Sequence, residues 1–153
     1  MHTVFLSTGS NLGNREGFLT KAEEEIAAHA GQIEAKSQII ETAPWGNTDQ
    51  PHFLNRVLRI KTQLAPLFLI ECLLDIEKRM GRNRAEKWGP RIIDIDILFF
   101  DDLIINEPGL CLPHPYLHQR EFVLKPMVEI APDYLHPVLK KTMTELLHTL
   151  HNA

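Results

Sequence analysis

Cysteine is scarce in this chain. Its 153 residues include two, Cys72 and Cys111, with no CxxC spacing. That excludes a disulfide framework, and each cysteine reads as a small buried apolar side chain. Long hydrophobic runs are also missing. No apolar stretch approaches the roughly 18 residues of a membrane-spanning helix. The start, MHTVFLSTGSNLG, has neither a basic segment nor an extended apolar one, so no secretory signal is expected and the cytoplasm is the expected location. Positive charge is in deficit, with 16 Lys+Arg against 20 Asp+Glu and a net charge of −4. The balance argues against a general nucleic-acid or anionic-membrane binder. No repeat, low-complexity tract or linker appears. What remains is an average composition, 44% hydrophobic and 24% charged. A chain of this length buries about 70% of its unfolded surface. Residues 1–153 are therefore expected to form one domain, with any activity seated on it.

The periodicities predict an ordered series of elements. Residues 3–8 form a short apolar run ending in the turn Gly9-Ser10-Asn11-Leu12-Gly13, which reads as a buried strand. Asn14 is a candidate cap for a helix over 15–29, with Phe18, Leu19, Ala22, Ile26 and Ala30 as its stripe. Residues 33–42 read as a strand of imperfect alternation and 43–51 as a loop. A second strand is expected from 53 to about 63. Pro66 suits the first turn of a helix carrying Leu69, Ile70, Leu73, Leu74, Ile76 and Met80, with Gly81 as its stop. Residues 82–90 read as a loop, 91–100 as a clear strand and 103–105 as a returning hairpin arm. Two further helices are expected over 120–130 and 143–150. The order β-α-β-β-α-β is the split βαβ, ferredoxin-like pattern. It implies an α+β class: an antiparallel sheet, helices packed on one face, and extra C-terminal elements. That fold hosts many functions and names none.

The strongest chemical signal is Asp94-Ile95-Asp96. Side chains alternate along a strand, so the two carboxylates share a face while Ile93, Ile95 and Ile97 fill the other. Held about 6–7 Å apart, they repel by roughly 2–3 kcal/mol at an effective dielectric near 20. A divalent cation removes that penalty, and hard oxygen ligands suit Mg²⁺. A solvent-facing edge strand is the competing explanation. Just upstream, KRMGRNRAEKWGPR concentrates Lys78, Arg79, Arg82, Arg84, Lys87 and Arg91 against the single acid Glu86. Cations beside a carboxylate-held metal are what a polyphosphate requires. Trp45, Phe53, Asn55, Trp88 and Phe122 fall in or beside predicted loops. Flat heterocycles bind by stacking on such rings, with an amide reading their edge. The glycine turn at 9–13 lacks the Gly-Lys-Ser/Thr ending of a P-loop. His114 and His118 have helical metal spacing, but Pro113 and Pro115 argue against a helix. A non-catalytic RNA-binding domain of the same topology would place aromatics on its sheet, where this chain has aspartates and isoleucines.

These segments resemble a known family. FLSTGSNLGN at 5–14, TAPWG at 42–46, QPHFLN at 50–55, GRNRAEKWGPRIIDIDIL at 81–98, LPHP at 112–115 and REFVL at 120–124 stand in the order found in the 6-hydroxymethyl-7,8-dihydropterin pyrophosphokinases of folate biosynthesis. The resemblance covers nearly the whole chain. It implies transfer of pyrophosphate from ATP to the pterin hydroxymethyl group with release of AMP, two Mg²⁺ ions and a monomer. It also implies mobile loops and no nucleic-acid or membrane partner. Asp94 and Asp96 would be metal ligands. Arg82 and Arg91 most resemble catalytic cations, and retention of Asp94, Asp96, Arg82 and Arg91 argues against a degenerate, inactive relative. The pterin would lie between Phe53 and Phe122, read by Asn55 and by groups near Thr42, Ala43 and Trp45, with Trp88 closing over it. ATP would meet Glu77, Arg82, Arg84, Lys87, Trp88, Arg91, His114, Tyr116 and Arg120. Lys87 stands where arginine is usual and lacks the bidentate fork. Trp45 replaces a smaller aliphatic residue, and Gly109 and Cys111 stand where some members place ligand-contacting side chains.

Overall fold

The structure is a computed structural model and describes residues 1–43, 49–81 and 92–152. Strand β1 (His2–Ser10) leads into helix α1 (Arg15–His29) and strands β2 (Gln32–Lys36), β3 (Ile40–Thr42) and β4 (Phe53–Thr62). Helix α2 (Pro66–Arg79) and strand β5 (Asp94–Phe100) follow, then the short strands β6 (Ile105–Glu107) and β7 (Leu110–Leu112). A 3₁₀ turn at Leu117–Gln119 precedes helices α3 (Glu121–Ile130) and α4 (Met143–His151). The main sheet runs β2-β4-β1-β5, with β3 beside β4, and its pairings are antiparallel. With β2 and β3 taken as one interrupted strand, this is the ferredoxin-like order expected from the sequence.

Local chemistry accounts for the element ends. The Asn14 side chain accepts a hydrogen bond from Gly17 N at 3.1 Å and caps α1. Pro66 occupies the first turn of α2, where a missing N–H is harmless. Leu19, Ala22, Ile26 and Ala30 are buried as expected, and so are Leu69, Leu73 and Ile76. Leu74 is not, because it lies on the outer side of α2.

The structure corrects several expectations. The strand expected over 33–42 is two strands. Lys36 pairs with Leu58 and Ile40 with Asn55, so one extra residue is accommodated between them. Ser37 bridges the break: its N donates to Val57 O at 2.9 Å and its Oγ accepts from Val57 N at 3.0 Å. The arm expected at 103–105 does not return to the main sheet. The hairpin is β6–β7, a separate two-stranded sheet closed by Pro108-Gly109. Gly109 has φ 81° there, a conformation that side chains resist. The cysteines are not buried. Cys111 is the outward residue between Leu110 and Leu112, which face the core, and Cys72 is half-buried on α2.

The two helices of the βαββαβ core pack on one face as expected, and the extra C-terminal helices cover the other. On one face Val4, Leu6, Leu58, Ile60, Ile95 and Ile97 meet α1 and α2. On the other, Phe5, Val57, Leu98 and Phe99 meet Leu117, Val123, Leu124, Met127, Met143 and Leu146. The run Val4-Phe5-Leu6 explains this, since consecutive apolar residues on a strand need cover on both sides. A bulge adds to the second face. Leu6 pairs with Ile97 and Phe5 with Phe99, so Leu98 is inserted and both Leu98 and Phe99 join that core.

Candidate active site

The second face is only half covered by α3 and α4. Beyond Phe5 the same side of β1 continues as Ser7 and Gly9. Ser7 pairs with Val57 on one side and Asp96 on the other, and Gly9 pairs with Asn55 and Asp94. Paired residues share a face. The antiparallel register therefore brings Asn55, Gly9 and Asp94 into one row, and Val57, Ser7 and Asp96 into the next. Of these, Asn55, Gly9, Asp94, Ser7 and Asp96 floor a cavity of about 220 Å³ whose walls are Thr42, Ala43, Phe53, His114, Arg120 and Phe122. Residues from four distant stretches of sequence converge there.

Gly9 decides the shape of the floor. A Cβ at this position would lie 2.7 Å from Asn55 Oδ1, so the missing side chain is the space the Asn55 amide fills. The Asn55 Nδ2 donates to Thr42 Oγ1 at 2.7 Å, which locks the amide and turns its Oδ1 over Gly9. Phe53 pairs with Thr42 in register and so stands at the edge of the same row system. The other wall comes from the start of α3. There the Arg120 guanidinium carbon lies 5.6 Å from the centroid of the Phe122 ring and 5.7 Å from that of Tyr116.

His114 joins these walls. Its N donates to Leu98 O at 3.0 Å, which anchors the loop to β5. Burial pushes its imidazole down to about 4; the Arg120 charge acts the same way and Asp94 opposes. The ring is therefore neutral at pH 7. Its Nδ1 accepts from Tyr116 N at 3.4 Å, so the proton sits on Nε2, available for donation. His114 and His118 do not share a helix, and no group of three or more metal-binding side chains occurs among the described residues.

The carboxylate pair opens onto a second cleft. Asp94 and Asp96 are also lined up with Ile70, Leu73 and Glu77 along the outer edge of β5. Farther along, Asp96 and His114 border a space between α2 and the β6–β7 hairpin, lined by Ile70, Ile97, Leu110 and Cys111. Glu77 is buried, and its Oε2 accepts from Ile95 N at 2.6 Å. Tyr116 is exposed beside His114, with the two ring centroids 6.4 Å apart.

The structure thus gathers Thr42, Ala43, Phe53, Asn55, Asp94, Asp96, His114, Arg120 and Phe122 at one cavity, with Glu77 and Tyr116 beside it. Trp45, Arg82, Arg84, Lys87, Trp88 and Arg91 lie outside the described residues. Sequence reading missed Ser7 and Gly9 as floor residues. Their signal was present: a small polar residue and a glycine follow Phe5 at a spacing of two in an apolar strand. The sheet surface that an RNA-binding domain of this topology would use is partly occupied by α3 and α4.

The comparison with known families decides the chemistry. A family model for 7,8-dihydro-6-hydroxymethylpterin-pyrophosphokinase matches residues 5–132. The chain belongs to this pyrophosphokinase family. It is 42% identical over 145 residues to the 2-amino-4-hydroxy-6-hydroxymethyldihydropteridine pyrophosphokinase of Aquifex aeolicus, a match covering 95% of this chain and 90% of that one. The enzyme of the same name from Methylorubrum extorquens is 44% identical over 134 residues, covering 87% and 85%. The fold also matches the crystal structure of wild-type Plasmodium falciparum HPPK-DHPS, with a TM-score of 0.79 at 18% identity. That match takes in 97% of this chain but 44% of the other, so the chain spans less than half of that protein. As a member of the family, this pyrophosphokinase is an ATP-dependent diphosphotransferase acting on hydroxymethyldihydropterin in folate biosynthesis.

Proposed function

We propose that the cavity over Gly9 is the pterin site and that the contiguous cleft along β5 takes ATP, with Asp94 and Asp96 at their junction. The observation that carries this reading is the shared lining. Asp94, Asp96 and His114 border the aromatic cavity and also reach the cleft beside α2. A hydroxyl held in the first space faces a phosphate held in the second. Phe53 and Phe122 supply the stacking surfaces for a flat heterocycle. Asn55 Oδ1 accepts from its amino edge, with Thr42 fixing that polarity. Among the described residues no helix is long and apolar enough to cross a membrane. We assign the reaction to one domain working as a monomer in the cytoplasm, where ATP is supplied.

In the transfer, the pterin hydroxyl oxygen bonds to the β-phosphorus of ATP as the bridging bond to the α-phosphate breaks, and the hydroxyl proton is given up to solvent. The pyrophosphoryl group passes to the pterin and AMP departs. The chain's task is positioning and charge stabilisation. His114 donates from Nε2, and Arg120 supplies a cation at the cavity wall. Arg82 and Arg91 are the proposed catalytic cations, with Arg84, Lys87 and Trp88 as further ATP contacts and Trp45 at the pterin rim. The donor set suits Mg²⁺, because two carboxylates on one strand face leave most coordination positions to water and phosphate oxygens. Asp94 and Asp96 would hold the two Mg²⁺ ions of this reading, which when bound neutralise triphosphate charge and lower the pKa of the attacking hydroxyl.

Product analysis tests the reading. With ATP and 6-hydroxymethyl-7,8-dihydropterin, AMP is expected in one-to-one ratio with pterin consumed. ADP as the main nucleotide product would mean ordinary phosphoryl transfer and overturn it.

A further inference from the structure

We infer that Glu77 is a positioning residue for the carboxylate pair, acting through the backbone of Ile95 rather than on ATP. The inference rests on the assignment of Asp94 and Asp96 above. Strand β5 ends the main sheet, and among the described residues it pairs on its β1 side alone. Its other edge faces α2, where a buried N–H with no neighbouring strand needs an acceptor. Ile95 sits on that edge, 7% exposed, and donates to Glu77 Oε2 at 2.6 Å.

Glu77 lies on the stripe of α2 that faces the sheet, beside Leu73 and Ile76, and is 2% exposed. An apolar residue would pack at this position without desolvating a carboxylate. The acid holds the Ile95 amide. Ile95 is the residue between Asp94 and Asp96, and its side chain is buried against α2 while theirs point to the opposite face. Fixing the Ile95 amide fixes the pleat of β5 at the one place where both carboxylates depend on it. The bond thereby ties α2 to the geometry of the pair from behind the sheet.

The decisive feature is the acceptor, not the charge, so Glu77→Gln and Glu77→Leu separate the alternatives. Glutamine keeps an acceptor oxygen of the same reach. Glu77→Gln is expected to stay within about threefold of wild type in kcat and in the Mg²⁺ concentration giving half-maximal turnover. It should also keep the Ile95 amide protected from hydrogen exchange in the free protein. Glu77→Leu is expected to raise the half-maximal Mg²⁺ concentration about tenfold, leave the pterin KM within about twofold, and speed Ile95 exchange at least tenfold. Glu77→Gln as impaired as Glu77→Leu would show that the charge itself is used, and would overturn the inference. So would unchanged Ile95 exchange, or unchanged Mg²⁺ dependence, in Glu77→Leu. Should the leucine variant fail to fold, the glutamine variant decides alone: a half-maximal Mg²⁺ concentration raised about tenfold beside an Ile95 amide still protected from exchange overturns the inference. Asp96→Ala is the companion measurement: normal Mg²⁺ dependence there sinks the metal assignment itself, whereas loss in Asp96→Ala beside an unaffected Glu77→Leu sinks only the positioning role.

Discussion

Phe5 and Ser7 stand two residues apart on β1 and face the same way, yet they belong to different worlds. Phe5 lies with Val57, Leu98 and Phe99 beneath α3 and α4 in a dry core. Ser7 lies with Gly9, Asn55, Asp94 and Asp96 in an open cavity. The same three strands, by the same alternation, build both halves. The difference is cover: the C-terminal helices seal one half and stop short of the other. The dry half holds the strands in register, and the register aligns Asn55, Gly9 and Asp94 across the open half. Stability and chemistry are thus adjacent on one surface without sharing residues, which lets each be perturbed separately.

The largest expected effect is on the open half. Asp96→Ala should lower Mg²⁺-dependent turnover by at least about 10³-fold, while the melting temperature stays within about 3 °C of wild type. Kinetics and thermal melts on the same preparation check both. Turnover within about threefold of wild type would remove Asp96 from the site.

The dry half should respond in the opposite way. Phe99→Ala leaves a cavity between Phe5, Tyr134 and His136, the rings it contacts. Such a truncation costs about 3–5 kcal/mol, or roughly 10 °C in melting temperature for a chain of this size. Below the melt, the pterin affinity of the folded fraction should be retained. A chemically stable enzyme with lost pterin affinity would mean the two halves are not separable.

Gly9→Ala tests the boundary more gently. The added methyl meets Asn55 Oδ1 and must displace it. Losing one oriented hydrogen bond to the ligand is worth about 1–1.5 kcal/mol, so pterin affinity should fall about tenfold with ATP-analogue affinity unchanged. Calorimetric titration of both ligands distinguishes this from general loosening, which would weaken the two alike.

The smallest expected effect is a dependence on pH in the dry half. His136 packs edge-on against Phe99, and its Nδ1 accepts from Val138 N and Leu139 N at 3.2 and 3.0 Å. Burial pushes its imidazole down to about 4, and the neighbouring His118 adds to this. A histidine with a folded value below its unfolded one of about 6.5 favours the unfolded chain as it gains a proton. Stability should therefore be full above about pH 6.5 and decline as pH falls toward about 4. His136→Asn keeps an acceptor for the turn and removes the titration, so the fall in melting temperature between pH 7 and 4.5 should be smaller than in wild type. His114, with the same lowered value, continues to contribute a remainder. An unaltered slope in the variant would show that His136 does not carry the dependence.

Much of this was legible from residue order. Alternation by itself places Asp94 and Asp96 opposite Ile95 and Ile97, because side-chain direction on a strand is a local property. Asn14 and Pro66 marked helix starts for equally local reasons, a side-chain acceptor and a fixed φ. The order of strand and helix signals was enough for the ferredoxin-like topology, since few arrangements satisfy it. Several motifs in sequence also matched the pyrophosphokinase family without any spatial information.

Tertiary structure alone decided what those local signals could not reach. That α3 and α4 close one half of a sheet face depends on where a C-terminal segment docks, which no strand pattern encodes. The burial of Glu77 against Ile95 joins residues on two elements through the sheet edge. The role of Gly9 exists only because Asn55 lies opposite it in register. Register, edge pairing and cover are relations between segments far apart in the chain, and they take form only once the strands have paired and the core has packed.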